Sequence, residues 1–130
     1  MSCKFELEHI GINQANADEA AKLAEQLSGM FNLAPKHGNK SEFAGPYFEC
    51  MKSPFLGTNG HIAMRTPDLA AAMDELKEKG YSFNIATAAY NEDGSLKNVY
   101  LAGELCGFAI TIIQQSLPSR HRPRTSTASG

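Results

Sequence analysis

Two short stretches of the chain carry a histidine in the same setting. Glu8-His9-Ile10-Gly11-Ile12-Asn13 and Gly60-His61-Ile62-Ala63-Met64-Arg65 each read as a strand that runs into a helix. A second matched pair closes each half. It consists of Gly45-Pro46-Tyr47-Phe48-Glu49-Cys50-Met51 and Gly107-Phe108-Ala109-Ile110-Thr111-Ile112-Ile113. Counted from the leading glycine, Glu49 and Thr111 fall at the same place. The repeat thus sets His9, Glu49, His61 and Thr111 at equivalent positions. Two imidazoles and a carboxylate are donors that a divalent metal accepts, with coordination positions left open. Such a centre can polarise a carbonyl, stabilise an enediolate or activate water. The fourth residue, Thr111, offers a neutral hydroxyl, a poor ligand for zinc or iron.

The elements that must position these groups follow from the pattern. Residues 5–13 alternate as a strand, and Asn16-Ala17-Asp18-Glu19 resembles a capping box. Ala20, Leu23, Ala24, Leu27 and Phe31 then follow at helical spacing, with Gly29 expected to help end the helix. Turn signals at Gly38-Asn39 and Gly45-Pro46 divide Leu33 to Met51 into two or three strands. Residues 54–60 read as a linker. The second half repeats the plan. His61 to Arg65 is a strand, Thr66 the expected N-cap with Pro67 at the first helical position, and Gly80 the stop. Strands are expected at Ser82 to Ala86, Leu96 to Leu101 and Gly107 to Gln115. The fold class is therefore α+β, two βαβββ modules pairing into a curled mixed sheet. Module one spans about 4–53 and module two about 60–116, within one domain of 1–117. Residues 118–130, rich in Ser, Arg, Thr and Pro, are expected to be disordered.

Strand alternation assigns faces. His9 is expected to share a face with Phe5 and Leu7, Glu49 with Tyr47 and Met51, and Arg65 with His61. Ile62, Met64, Phe48, Cys50, Phe108, Ile110 and Ile112 point the other way, under the helices. Taken alone, each histidine is more often a hydrogen-bonded strand residue than a ligand, and a strand glutamate is usually solvated. Matched positions on one face raise the odds of a site with convergent polar groups.

Composition bounds the function. A chain of 130 residues with a net charge of −2 gives no electrostatic footprint for nucleic acid or a membrane surface. No apolar run is long enough to span a bilayer, and the start lacks a signal-peptide stretch. The three cysteines have no zinc spacing and read as reduced thiols in a cytoplasmic protein. Cys50 is expected in the core and Cys106 in a turn, and His37 and His121 are expected in solvent.

His9-Ile10-Gly11-Ile12, Gly60-His61-Ile62-Ala63 with Thr66-Pro67-Asp68-Leu69, and Gly107-Phe108-Ala109-Ile110 resemble the vicinal oxygen chelate superfamily of glyoxalase I, fosfomycin-resistance proteins and extradiol dioxygenases. Phe43-Ala44-Gly45, Glu49-Cys50-Met51-Lys52-Ser53-Pro54 and Gly57-Thr58-Asn59-Gly60 are similar to a glyoxalase-like domain. That domain is associated with 2-keto-3-deoxy-6-phosphogluconate/4-hydroxy-2-oxoglutarate aldolases. The aldolase proper is a barrel with a Schiff-base lysine, which this chain is too short to contain. The resemblance implies a divalent metal (Zn, Ni, Mn or Fe) held by His9, Glu49 and His61, with Glu49 also catalytic. Thr111 departs from the family's Gly-Tyr-x-x-Glu ending, which argues against ordinary glyoxalase I and dioxygenase chemistry. Tyr47, Arg65, Tyr100 and Thr111 would meet a small-molecule substrate, with Met51 shaping the pocket. The implied activity is a metal-dependent isomerase or lyase on a small 2-oxo acid or sugar acid, in a homodimer. The alternative is a metal-free metabolite-binding or accessory module linked to such an aldolase. A third outcome is a fold whose pocket is filled by side chains.

Overall fold

The computed structural model describes residues 2–116; the expected disordered tail and His121 lie outside the described residues. The first half comprises β1 (Glu6–Asn13), α1 (Ala17–Phe31), β2 (Pro35–His37), β3 (Ser41–Ala44) and β4 (Phe48–Met51). The second comprises β5 (Gly60–Thr66), α2 (Leu69–Glu78), β6 (Phe83–Tyr90), β7 (Leu96–Leu105) and β8 (Phe108–Gln114). One eight-stranded sheet results, ordered β2-β3-β4-β1-β5-β8-β7-β6. β1 and β5 meet antiparallel at its centre, while β1/β4 and β5/β8 are parallel. The α+β class and the two βαβββ halves are as the sequence pattern dictates.

Local chemistry explains the helix ends, with two changes from expectation. The Asn16 side chain accepts from Glu19 N at 2.9 Å, and Asp18 and Glu19 face the positive end of α1. The helix runs past Gly29 and ends at Asn32, which takes the left-handed conformation with φ 57°. The N-cap of α2 is Asp68, whose carboxylate accepts from Ala71 N at 3.1 Å, in place of the expected Thr66. Thr66 stays in the sheet because the β5/β8 ladder continues to its pairing with Gln114. Gly80, at φ 100°, follows the C-cap Lys79. β6 and β7 are longer than their patterns suggest. Pairing across the Asn91–Ser95 turn, through an irregular register, extends β6 to Tyr90, and pairing with β8 across the Cys106–Gly107 turn extends β7 to Leu105.

The helices cover one face of the sheet with two clusters. Under α1, Ala20, Ala24, Ala44 and Cys50 pack with Leu23, Leu27, Leu33 and Phe48. Under α2, Leu69, Val99, Ile110 and Ile112 pack with larger neighbours that include Phe5, Ile62, Met64 and Met73. Phe5 therefore corrects the simple alternation, which put it on the face of His9. β1 carries one extra residue between Leu7 and His9, so Leu7 pairs with Met64 while His9 pairs with Ala63. This bulge at Glu8 flips the side-chain parity of everything before it. Leu7 is thereby set opposite a helix-side residue.

Candidate metal centre

The face away from the helices gathers the polar residues. Its rows follow from the register. Glu49 pairs with Gly11, and Gly11 with His61, across β4, β1 and β5. His9 pairs with Ala63, and Ala63 with Thr111, across β1, β5 and β8. The two rows map onto each other when the halves are exchanged, so His9 answers His61, Gly11 answers Ala63 and Glu49 answers Thr111.

Three side chains converge. His9 Nε2 and His61 Nε2 are 3.2 Å apart, and Glu49 Oε1 lies 3.3 Å from the first and 3.4 Å from the second. Ligand atoms held at about 2.0–2.1 Å by a tetrahedral cation are themselves about 3.3 Å apart, so this triangle fits a divalent ion. The donor set, two imidazole nitrogens and one carboxylate oxygen, suits zinc, manganese, nickel or iron. Among the described residues this is the one cluster of three or more His, Cys, Asp or Glu groups with such spacing.

The surroundings hold the groups in ligand form. Glu49 is 17% exposed, and the hydrogen bond from His61 keeps its carboxyl below the usual range, helped by Ser41 against the cost of burial. Ser41 donates from Oγ to Glu49 Oε2 at 2.8 Å. Burial holds the His9 imidazole below its ordinary pKa, outweighing the Glu49 charge that raises it. An ionised carboxylate and a neutral imidazole are the forms that bind metal.

His61 is oriented by packing. Its Nδ1 is buried with no hydrogen-bond partner among the described residues, so no second-nitrogen bond fixes the ring. Instead the ring lies directly on Gly11. A Cβ there would stand 2.1 Å from His61 Cε1, so only glycine admits the ring. Phe55 meets it edge-on at 6.1 Å between centroids, and His9 does so at 5.2 Å. A cavity of about 540 Å³ opens beside it, reaching Glu49, His61, Met51 and Phe55. That volume is in the range of small-molecule sites.

The other expected site residues lie elsewhere. Arg65 pairs with Glu6 at 3.0 Å and Glu8 at 3.1 Å, and donates to the Leu7 carbonyl at 3.0 Å. It fastens the bulge and does not line the cavity. Tyr47 is exposed in the β3–β4 turn and is also outside the lining. Thr111 is buried and donates its hydroxyl to the Val99 carbonyl at 3.1 Å. Tyr100 pairs with Thr111 in the ladder and lines a separate cavity of about 170 Å³ with Thr87 and Glu104. Burial, then the Glu49 charge, pushes its phenol above the ordinary range. Cys50 is buried, Cys106 is exposed in the β7–β8 turn, and the His37 side chain is exposed beside Glu42.

Ser41, Gly11 and Phe55 were not singled out from sequence. A glycine two residues after His9, where the second half has alanine, was the available signal for Gly11. For Ser41 and Phe55 there was none.

No family model matches the chain, and no curated protein matches it. Solved structures do. A hypothetical protein from Bacillus halodurans C-125 superposes with a TM-score of 0.58 at 16% identity, covering 91% of this chain and 99% of that one. Methylmalonyl-CoA epimerase from Mycobacterium tuberculosis gives 0.55 at 18% identity, covering 85% and 88%. Streptomyces coelicolor methylmalonyl-CoA epimerase, in complex with 2-nitronate-propionyl-CoA, gives 0.57 at 18% identity, covering 89% and 100%. The architecture of the chain is the vicinal oxygen chelate fold that these epimerases share.

Proposed function

We propose that the chain is a glyoxalase-like, metal-dependent isomerase or lyase acting on a small 2-oxo acid or sugar acid. The observation that carries this reading is the near-equilateral triangle of His9 Nε2, Glu49 Oε1 and His61 Nε2. His9, Glu49 and His61 would hold the metal, whose chemistry is Lewis-acid polarisation of a substrate carbonyl. The chain's own groups do the rest. Glu49 presents Oε1 to the imidazoles, while Oε2 is kept in place by Ser41. Oε2 is the atom on which a proton taken from a carbon beside the carbonyl would rest. Met51 and Phe55 give the cavity an apolar wall beside Glu49 and His61. The fold is shared with epimerases, which are isomerases by name, and this supports an isomerase over a lyase. We place the protein in the cytoplasm as a homodimer.

The deciding experiment measures the metal content of protein purified without a histidine tag, followed by titration with Zn²⁺, Mn²⁺, Ni²⁺ and Fe²⁺. Stoichiometric metal supports the reading. Trace content with no binding on titration ends it.

A second reading draws on Thr111, whose hydroxyl is turned to Val99 and leaves three ligands in place of four. In this reading the domain is a metal-free metabolite-binding or accessory module that partners a keto-hydroxyglutarate/keto-deoxy-phosphogluconate aldolase. Thermal stabilisation by sugar acids with no response to metal would favour it.

A further inference from the structure

The cavity beside Glu49 and His61 has an uneven charge. Glu49 is the one acid among its lining residues, while two lysines, Lys40 and Lys52, stand at its rim. The two differ in how their charge is met. Lys52 Nζ donates to the Gly38 carbonyl at 2.8 Å and pairs with Glu42 at 3.2 Å, so its charge is balanced within the protein. Lys40 has no acidic partner among the described residues within ion-pair distance. Its backbone is nonetheless tethered. Lys52 N donates to the Lys40 carbonyl at 3.0 Å, and Gly38 N closes the β2–β3 turn on the Ser41 carbonyl at 2.9 Å. An exposed lysine is thus held by its backbone beside a cavity that also reaches Glu49 and His61, two of the three converging groups.

We infer that this rim is a second recognition point, and that Lys40 binds a distal oxyanion of the substrate, a carboxylate or a phosphoryl group. This inference rests on the proposed function and narrows it: the substrate carries two separated polar ends. A carbonyl end addresses the His9, Glu49 and His61 centre, and an anionic end addresses Lys40. The cavity volume of about 540 Å³ suits a metabolite of that size. Lys40 supplies a point charge, which accepts either anion without the fixed fork of an arginine.

The test compares three probes by isothermal titration calorimetry on the full chain loaded with Mn²⁺. Pyruvate has no distal anion, 2-oxoglutarate has a distal carboxylate and 3-phosphonopyruvate a distal phosphonate. Wild type is expected to bind at least one of the last two about tenfold tighter than pyruvate, as a partly exposed charged contact allows. Lys40→Gln is expected to erase that gap while leaving pyruvate and Mn²⁺ affinity unchanged. Whichever probe shows the gap identifies the anion. Equal affinity for all three in wild type, or a gap that survives Lys40→Gln, overturns the inference. The same titrations on metal-free protein keep the two readings apart. If Mn²⁺ does not bind but the Lys40-dependent preference persists, the metal centre falls and the anion site stands. If Mn²⁺ binds and no preference appears, the reverse holds.

Discussion

Gly11 and Ala63 hold the same place in the two halves, each opposite the other half's histidine across the central β1/β5 pair. The difference is one methyl group, and it goes with different burial of the two imidazoles. Over Gly11, the His61 side chain sinks to 6% exposure; opposite Ala63, His9 remains at 26%. The parallel neighbours diverge too. Glu49 in the first half points into the centre with Ser41 behind it, while Thr111 in the second turns to the backbone of β7. The buried clusters differ as well: the one at α1 is built from alanines and a cysteine, the one at α2 from leucine, valine and isoleucines. One topology used twice thus supplies two of the three converging groups, His9 and Glu49, from the first half and one, His61, from the second, where Thr111 takes the place of the carboxylate. The change lies in a few side chains that face each other across the pseudo-symmetry axis.

The strongest way to break this comparison is to neutralise its carboxylate. Glu49→Gln is expected to weaken Mn²⁺ or Zn²⁺ binding by roughly 100-fold or more, beyond the usual cost of losing a supporting group. Thr111→Ala should leave metal affinity unchanged and cost about 1 kcal/mol of stability through its lost hydrogen bond. Titration calorimetry and urea denaturation of both variants measure the contrast; equal loss of metal affinity would show that the halves are not divided in this way.

Exchanging the residues under the rings comes next. Gly11→Ala should destabilise the protein by about 1–3 kcal/mol through overpacking against His61, and weaken metal binding with it. Ala63→Gly meets no ring and should cost about 1–2 kcal/mol, from chain entropy and the loss of a fully buried methyl, with metal affinity kept. Metal titration of the pair decides the matter, and a larger loss of metal affinity in Ala63→Gly would contradict the assignment.

The pH profile of the metal-free protein sharpens the same point. His9 is held below the ordinary imidazole range by burial, and Glu49 below the carboxylate range chiefly by His61. In both cases the unfolded chain binds more protons, so stability rises with pH. A loss should set in as pH falls through about 6.5 toward the lower folded value of His9. A further loss should follow in the carboxylate range, below about 4.3 and toward the lower folded value of Glu49. His9→Gln should abolish the upper step and keep the lower. Denaturation midpoints across pH 3–8 test this, and an upper step that persists in His9→Gln would assign it elsewhere.

The smallest effect concerns the bulge in β1, which has no counterpart in the β5/β8 ladder. Arg65→Lys keeps the charge but loses the fork that spans Leu7, Glu6 and Glu8. A loss below about 1 kcal/mol is expected for a partly exposed cluster. Amide exchange of His9 and Ile10 should quicken more than that of His61 and Ile62, and equal change in both strands would refute the clamp.

Much of this was legible in the residues themselves. A strand repeats every two residues, so the matched positions of His9, Glu49 and His61 put all three on one face once the halves were aligned. The helix faces followed from the same count. What the spacing could not carry was any event that adds or removes a residue from the ladder, or any contact between distant strands. The bulge at Glu8 moved Phe5 to the helix side. Arg65, on the right face by parity, was captured by acids of β1 that lie more than fifty positions away.

The sequence by itself determined the two-fold plan, the α+β class and the identity of the three converging donors, because these depend on local periodicity and internal repetition. Tertiary structure alone decided how close the donors come, that Gly11 makes room for His61, that Ser41 backs Glu49 and that Thr111 bonds to Val99. Those outcomes depend on register and packing between segments remote in the chain, where a shift of one residue or one methyl group changes which atoms can meet.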